Sequence, residues 1–214
     1  MGLFGRSSKF SDSSGKNTSS FDALVVGLGN PGKQYARSRH NVGEEVVVEL
    51  ARRGNEALKS GRDSALVAEV RITNATQNTK RAVLAFPTTF MNESGQAVSK
   101  LMRRYGFKSV DALIVIQDEL DLAPGTVKIK KGGGLSGHNG LRSIAAHVAT
   151  QEFIRVRLGV GKPSNKEQGA NHVLSKVPAA ERQLLDVAVN IAADAVEKII
   201  LDGVDAAMNM YNTL

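Results

Sequence analysis

The chain has 214 residues, of which 42% are hydrophobic and 23% are charged, a composition that excludes an intrinsically disordered protein. It contains no cysteine, which excludes disulfides, thiolate zinc sites, iron–sulfur clusters and cysteine nucleophiles. The net charge is +7, with eight basic residues and one acid between residues 128 and 166. This basic region favours a polyanionic partner such as nucleic acid, although a solvated basic face would leave the same pattern.

The chain begins with a serine-rich segment, residues 1–20, that has few apolar side chains. Such a segment buries too little apolar surface to offset the entropy lost on ordering, so we predict a flexible tail followed by one domain over residues 21–214. No apolar run approaches the roughly 20 residues that a membrane-spanning helix needs. We therefore expect a cytoplasmic protein with no membrane partner.

Short β-branched runs and longer periodic stretches alternate along the domain. Strands are predicted at Ala23–Gly27, Ala65–Ile72, Ala82–Phe86, Ala112–Ile116, Thr126–Lys131 and Phe153–Val160. Helices are predicted at Asn41–Arg53, Ser94–Tyr105, Asn139–Ala149 and Ala179–Ile200, with a last short helical turn after Gly203. Strands that alternate with helices predict an α/β sandwich around a mostly parallel sheet.

Three glycines after the first strand, Gly27, Gly29 and Gly32, match the G-x-G-x-x-G pattern of dinucleotide-binding folds. In those folds the third glycine begins a helix whose N-terminus faces the pyrophosphate. Here apolar periodicity resumes only at Val42, and Pro31 stiffens the turn. A dinucleotide-dependent oxidoreductase is therefore the weakest alternative, and titration with NAD(P)H would test it.

Asparagine, histidine and aspartate side chains follow several predicted strands or precede a helix: Asn30, His40, Asn92, Asp118, His138 and Asn139. The carboxyl ends of strands are where open α/β sheets place their sites. An aspartate beside a histidine fixes the histidine tautomer and raises its basicity, which suits activation of water by a general base. Four scattered histidines without an H-x-x-x-H pair indicate no metal site, and the absence of G-x-S-x-G argues against a serine hydrolase.

The chain resembles the bacterial peptidyl-tRNA hydrolases in four segments that keep the family's order and spacing: GLGNPGKQYARSRHNVG, PTTFMNESG, QDELDLAPGTVKIKKGGGLSGHNGL and FIRVRLGVGKP. The resemblance runs from about Phe21 to the C-terminus. It implies one domain, a three-layer α/β/α sandwich around a mixed, mostly parallel sheet. It further implies a monomer without metal or other cofactor that hydrolyses the ester between peptide and tRNA, and so recycles tRNA from stalled or aborted translation. The implied partner is peptidyl-tRNA, at its acceptor end and 5′-phosphate, and not DNA.

The resemblance also implies roles for individual residues. His40 is the implied catalytic histidine and Asp118 the aspartate that orients it, with Asn30 and Asn92 beside them. The expected substrate contacts are Tyr35, Met91 and Asn139 from the family pattern, and Phe90 and His138 from the same segments. Lys130 and Arg157 are implied to grip the 5′-phosphate of tRNA.

Other roles stay open for some of these residues. Met91 suits core packing as well as a pocket, His138 suits a helix cap, and Lys130 with Arg157 could simply promote solubility. Leu135-Ser136 replaces a pair that is often small or histidine in relatives, which indicates altered mobility of that loop. A related RNA-binding protein that has lost catalysis remains an alternative, and the presence of the four catalytic residues argues against it.

Overall fold

The computed structural model describes residues 19–163, 165 and 169–213. Most of the predicted tail, residues 1–18, therefore lies outside the described residues. The strands are β1 (Ala23–Gly27), β2 (Lys59–Ser60), β3 (Ala65–Thr73), β4 (Thr79–Pro87), β5 (Leu113–Glu119), β6 (Val127–Lys131) and β7 (Ile154–Gly159). The helices are α1 (Val42–Arg53), α2 (Ser94–Arg104), α3 (Asn139–Val148), α4 (Gly169–Leu174), α5 (Ala179–Asp202) and α6 (Val204–Tyr211). Within the described ranges, no helix is long and apolar enough to cross a membrane.

The seven strands form one mixed sheet in the order β2-β3-β4-β1-β5-β7-β6. The four central strands β4, β1, β5 and β7 are parallel, while β3 and β6 pair antiparallel at the two sides. Strands β1 and β5 are buried along their whole length. The continuous apolar runs predict this for β1 and for residues 113–116 of β5. Parallel central strands bring the carboxyl ends of β1, β4 and β5 to one edge of the sheet.

Helices cover both faces of the sheet. Helices α1, α5 and α6 cover one face, where α5 packs against both other helices and where Val46, Leu50 and Val196 belong to one apolar cluster. Helices α2 and α3 cover the other face, where Leu101 and Ile144 belong to a second cluster. This arrangement confirms the three-layer α/β/α sandwich.

Strand β5 is longer than the sequence predicts. The expected strand ends at Ile116, but pairing with β7 continues through Gln117, Asp118 and Glu119. The prediction was wrong because it ended the strand where apolar side chains end, whereas backbone hydrogen bonds to β7 continue beyond that point. Asp118 is thus fixed inside a paired strand rather than on a loop.

Helix α1 begins at Val42, ten residues after Gly32, so the described turn lacks the phosphate-binding geometry of a dinucleotide fold. The first turn of α1 lies very close to the sheet at Gly43. A Cβ at Gly43 would lie 2.5 Å from the Ile116 carbonyl oxygen and 2.5 Å from the Leu28 nitrogen. Only glycine allows this approach, which brings the start of α1 over the ends of β1 and β5.

The outer edge of β6 is covered by a side chain from the segment after α6. The Asn212 Oδ1 accepts a hydrogen bond from the Ile129 nitrogen at 2.7 Å, and its Nδ2 donates to the Ile129 oxygen at 2.9 Å. One amide side chain therefore occupies the position of a neighbouring strand.

Candidate active site

His40 lies on a single 3-10 turn, Arg39–Asn41, between β1 and α1. Asn41, the next residue, makes no side-chain capping bond to α1. Its amide instead accepts from the Asn30 nitrogen and donates to the Asn30 oxygen, each at 2.9 Å. This buried pair of hydrogen bonds holds the loop after β1 against the start of α1, and so fixes the backbone that carries His40.

His40, on the turn before α1, and Asp118, near the end of β5, form a close pair. The His40 Nδ1 lies 2.8 Å from the Asp118 Oδ1, and both side chains are largely buried. A carboxylate only accepts hydrogen bonds, so Nδ1 carries the proton and Nε2 of the neutral ring keeps its lone pair. The pair therefore has the geometry of an oriented general base, as the sequence predicts.

A second histidine shares the same carboxylate oxygen. The His138 Nε2 lies 3.1 Å from the Asp118 Oδ1, while its Nδ1 accepts hydrogen bonds from the nitrogens of Gly140 and Leu141. His138 thus caps α3, one of the two roles left open by the sequence. Its bond to Asp118 is a further contact that the sequence did not predict, because it joins segments 20 residues apart.

Asp118 is fully buried between the two rings. Burial by itself raises the pKa of this carboxyl, but the charges and hydrogen bonds of His40 and His138 outweigh burial and hold the pKa well below its usual range. Asp118 is therefore a carboxylate at neutral pH. Both rings must then present an N–H to it, which fixes the tautomer of each histidine.

The same three residues form the one group of possible metal ligands found in the described part of the chain, with donor atoms within 4.8 Å of one another. Their hydrogen bonds are unfavourable for a metal. Since the Nδ1 of His138 accepts two backbone hydrogen bonds, its Nε2 carries the proton, and a cation would have to displace it. The arrangement suits proton transfer better than metal binding.

His40 and Asp118 open onto a pocket of about 700 Å³ at the carboxyl ends of β1 and β5. The remaining predicted polar residues that line it are Asn30, Asn92, His138 and Asn139. The apolar residues that line it are Phe90, Met91, Leu120, Pro163, Val173 and Leu174. The pocket thus combines a polar side with an apolar side large enough for amino-acid side chains.

The predicted asparagines differ in their surroundings. Asn30 is buried, and its Oδ1 accepts a hydrogen bond from the Met91 nitrogen at 2.9 Å, which ties the loop after β1 to the turn after β4. Asn92 and Asn139 are exposed on the pocket wall and can reach a ligand directly. Met91 is 4% exposed and belongs to the apolar core as well as the pocket, so both of its predicted roles are compatible with the structure.

Tyr35 is not brought to this site. It is half-buried in the turn before His40, and the described pocket wall does not include it. The expectation of a substrate contact at Tyr35 rests on the family pattern alone and receives no support from the geometry.

Lys130 and Arg157 lie away from the pocket, in a shallow depression that we call the cationic groove, formed with Lys128 and Lys131 on β6 and β7. The two strands are neighbours, as the clamp interpretation requires, and Lys130 and Arg157 are diagonal across the pairing. The Arg157 Nε donates to the Glu119 Oε2 at 3.0 Å. Glu119 follows Asp118 on β5, so this ion pair links the cationic groove to the active-site strand.

Two buried polar residues beside the site were not singled out by the sequence. Arg155 is 2% exposed and donates to the carbonyl oxygens of Gly133 and Gly134, both at 2.8 Å. Gln117 lines the pocket, and its buried Oε1 has no hydrogen-bond partner. The alternation of side chains along β7 predicts that Arg155 shares a face with Arg157, but this alternation does not predict that Arg155 is buried.

A protein-family model described as peptidyl-tRNA hydrolase matches residues 24–214. A peptidyl-tRNA hydrolase from Cutibacterium acnes is 48% identical over 196 residues, which cover 89% of this chain and 98% of the relative. One from Leifsonia xyli is 49% identical over 190 residues, covering 89% and 96%. A crystal structure of peptidyl-tRNA hydrolase from Acinetobacter baumannii superposes with a TM-score of 0.78 at 39% identity, covering 89% of this chain and 94% of that chain.

Proposed function

This chain belongs to the peptidyl-tRNA hydrolase family and hydrolyses the ester bond of peptidyl-tRNA, and on that premise we propose that His40 is the general base of the reaction. The observation that carries the proposal is the bond from the His40 Nδ1 to the buried Asp118, which leaves Nε2 unprotonated beside the pocket. A neutral imidazole oriented in this way can accept a proton from water near neutral pH.

The pocket supports a complete sequence of steps. Water attacks the ester carbonyl carbon and gives its proton to the His40 Nε2. The bond to the ribose oxygen then breaks as that oxygen takes the proton from the His40 Nε2, which restores the terminal hydroxyl of tRNA and releases the peptide with a free carboxyl group. The amides of Asn30 and Asn92 are suited to donate hydrogen bonds to the oxyanion that forms, and Asn139 to orient the water.

Substitution of His40 tests the base. We expect His40→Ala to fold and bind tRNA normally while kcat on N-acetyl-aminoacyl-tRNA falls at least about 100-fold, the usual size of a general-base contribution. Asp118→Asn should lose less, because the imidazole remains but its tautomer is no longer fixed. Wild-type kcat in His40→Ala would end the assignment. Activity should also survive EDTA, and a loss that zinc restores would overturn the metal-free mechanism.

We further propose that the cationic groove binds the 5′-phosphate of tRNA through Lys130 and Arg157. The Nε of Arg157 is held by Glu119, which leaves Nη1 and Nη2 as the edge that can face a phosphate. Lys130 on the adjacent strand supplies a second charge, and the groove lies beyond the glycine-rich segment that leads to His138. The acceptor end would then run from the groove into the pocket.

Replacing both Lys130 and Arg157 with alanine should raise KM for 5′-phosphorylated peptidyl-tRNA and weaken the dependence of KM on salt concentration. The value of kcat should be nearly unchanged, because only binding energy is lost. Lys130→Ala is tested alone as well as with Arg157→Ala, since the latter leaves Glu119 buried without its partner. A short peptidyl-nucleoside ester without the phosphate is the control substrate. Equal impairment on both substrates would contradict the clamp.

We also propose that the protein acts as a monomer in the cytoplasm, where peptidyl-tRNA arises, and that DNA is not a partner. The pocket and the cationic groove need no residue from a second copy, so a monomer is sufficient for the proposed sites. Sedimentation at increasing concentration tests this state. A dimer at working concentration would contradict it.

A further inference from the structure

Arg39, the residue before His40, is a buried arginine that connects three parts of the molecule. It is 4% exposed and lies on the 3-10 turn that carries His40. Its Nε and Nη2 donate to the two carboxylate oxygens of Glu181, each at 2.6 Å. Glu181 stands in the first turn of α5, so this bidentate pair fixes the catalytic turn to that helix.

The remaining nitrogen of Arg39 reaches α4. Nη1 donates to the His172 oxygen at 3.0 Å and to the Ser175 Oγ at 3.2 Å. Helix α4 has only six residues, and its other described anchors are the His172 ring on the Val160 oxygen and a β-bridge between Ser38 and Lys176. A helix this short does not stabilise itself, so its position depends on such contacts.

Helix α4 forms part of the apolar side of the catalytic pocket through Val173 and Leu174. His40 and these two side chains thus line the same pocket. The guanidinium of Arg39, the residue next to His40 in the chain, is hydrogen-bonded to the backbone of α4 and to Ser175 just after it. All three nitrogens of Arg39 are used, and their planar fork matches Glu181 on one side and α4 on the other. A lysine at this position could bond only one of these partners well.

We propose that Arg39 is a positioning residue that fixes the apolar wall of α4 relative to His40 and thereby sets the affinity for the side chains of the peptidyl group. The proposal rests on the proposed function of the pocket. Glu181 takes part in this positioning, because its bidentate pair with the Nε and Nη2 of Arg39 orients the guanidinium so that Nη1 faces α4.

The test compares Arg39→Lys and Glu181→Gln with wild type on N-acetyl-phenylalanyl-tRNA and N-acetyl-glycyl-tRNA. Loss of a charged hydrogen bond to the wall should raise KM for the phenylalanyl substrate about tenfold. KM for the glycyl substrate, which has no side chain to contact α4, should change little, and kcat should fall less than KM rises. A role in stability alone would not produce a KM change that depends on the substrate side chain.

The chain offers a matched control pair that joins the segment just before this turn to the same helix. Arg37 bonds Asp186 of α5 at 3.1 Å, but the pair is exposed and its side chains make no described hydrogen bond to α4. Arg37→Lys and Asp186→Asn should leave both KM values unchanged. Equal KM changes in the control variants, or an equal rise on both substrates in Arg39→Lys, would overturn the proposal.

Amide hydrogen exchange gives a readout that needs no substrate. Arg39→Lys and Glu181→Gln should speed exchange in residues 169–175 while α1 keeps its protection, and the control variants should match wild type. Unchanged exchange in residues 169–175 would contradict the role of Arg39 even if catalysis by His40 holds. If His40→Ala were fully active instead, the general base would be wrong while the exchange result still decided the role of Arg39.

Discussion

At the scale of single residues, the central feature is one carboxylate oxygen that accepts hydrogen bonds from two imidazoles. His138 competes with His40 for the charge on the Asp118 Oδ1. Each bond weakens the other, because the same lone-pair region serves both donors. Both rings also help to hold the pKa of Asp118 below its usual range, against the effect of burial.

Because His40 and His138 share one oxygen of Asp118, we predict that substitution of His138 changes the pH profile of kcat/KM. We expect His138→Asn, which keeps an N-cap oxygen but is too short to reach Asp118, to move the acid limb of kcat/KM to higher pH. The reason is that the hydrogen bond and charge of His138 help to hold the pKa of Asp118 below its usual range, so without them Asp118 is protonated at a higher pH and no longer orients His40. The measurement is kcat/KM between pH 5 and 9 in wild type and variant.

His138→Ala is the companion variant. It should show the same movement of the acid limb and, in addition, lose about 1 kcal/mol of unfolding free energy, because Ala cannot cap α3. If the acid limb stays in place in both variants, the two histidines do not share the charge of Asp118 in solution.

The residue types at the site could be predicted, but several contacts between them could not. Asn30, His40 and Asp118 follow or end apolar strands, so their meeting at one sheet edge follows from the parallel order. The bond from His138 to Asp118 depends on the path of the glycine-rich segment, for which no periodicity exists. Arg39 gave no signal either, since its partners on α4 and α5 lie more than 130 residues away.

At the scale of elements, the glycine loop, which we define as residues 132–137, joins β6 to α3. Lys130 of the cationic groove precedes the loop, and His138 of the active site follows it. Arg155 holds the start of the loop through the Gly133 and Gly134 carbonyls, and its buried Nε has no partner. Burial and the neighbouring Arg157 lower the pKa of Arg155, so its charge is costly where it lies.

We therefore expect Arg155→Met to separate stability from activity. Removing a costly buried charge should leave the melting temperature nearly unchanged, whereas kcat/KM should fall about 10- to 100-fold as His138 and Lys130 lose their common support. Thermal unfolding and kinetics on the same preparation measure both. Arg142→Met, at an exposed arginine of α3, is the control and should change neither. A large fall in melting temperature with normal kinetics would contradict this role of Arg155.

The four long helices could be predicted from the sequence within two residues at each end, whereas the short elements could not. Helix α2 was predicted at Ser94–Tyr105 and is found at Ser94–Arg104, because its apolar stripe packs on the sheet throughout. Strand β2 has two residues and α4 has six, and neither length can show a period. These elements form because the rest of the fold supplies their partners.

At the scale of the whole molecule, the uneven charge of the sequence becomes an arrangement of ion pairs. The acidic residues of α5 neutralise basic residues of the segment from β1 to α1: Arg37 pairs with Asp186, Arg39 with Glu181, and Arg53 with Asp194. Much of the acidic charge near the end of the chain is thus paired with these basic residues. The basic residues of β6 and β7 keep much of the positive excess, which suits the approach of a polyanion.

The serine-rich tail belongs to this scale as well. The described core begins at Phe21 and the described pocket at Asn30. Deletion of residues 2–18 should therefore change neither the melting temperature nor kcat/KM beyond experimental error. A truncated protein that unfolds earlier or loses activity would show that the tail packs on the domain.

The amide of Asn212 across the edge of β6 has a consequence for behaviour in concentrated solution. An uncovered strand edge is a template on which a second molecule can add its own strand. Asn212 occupies both backbone groups of Ile129, at the centre of a five-residue edge, so a neighbouring molecule finds no continuous ladder to extend. The Asn212 side chain thus protects the edge of β6 from pairing with a second molecule. Its loss would leave the fold intact but would promote fibrous or amorphous aggregation at high protein concentration.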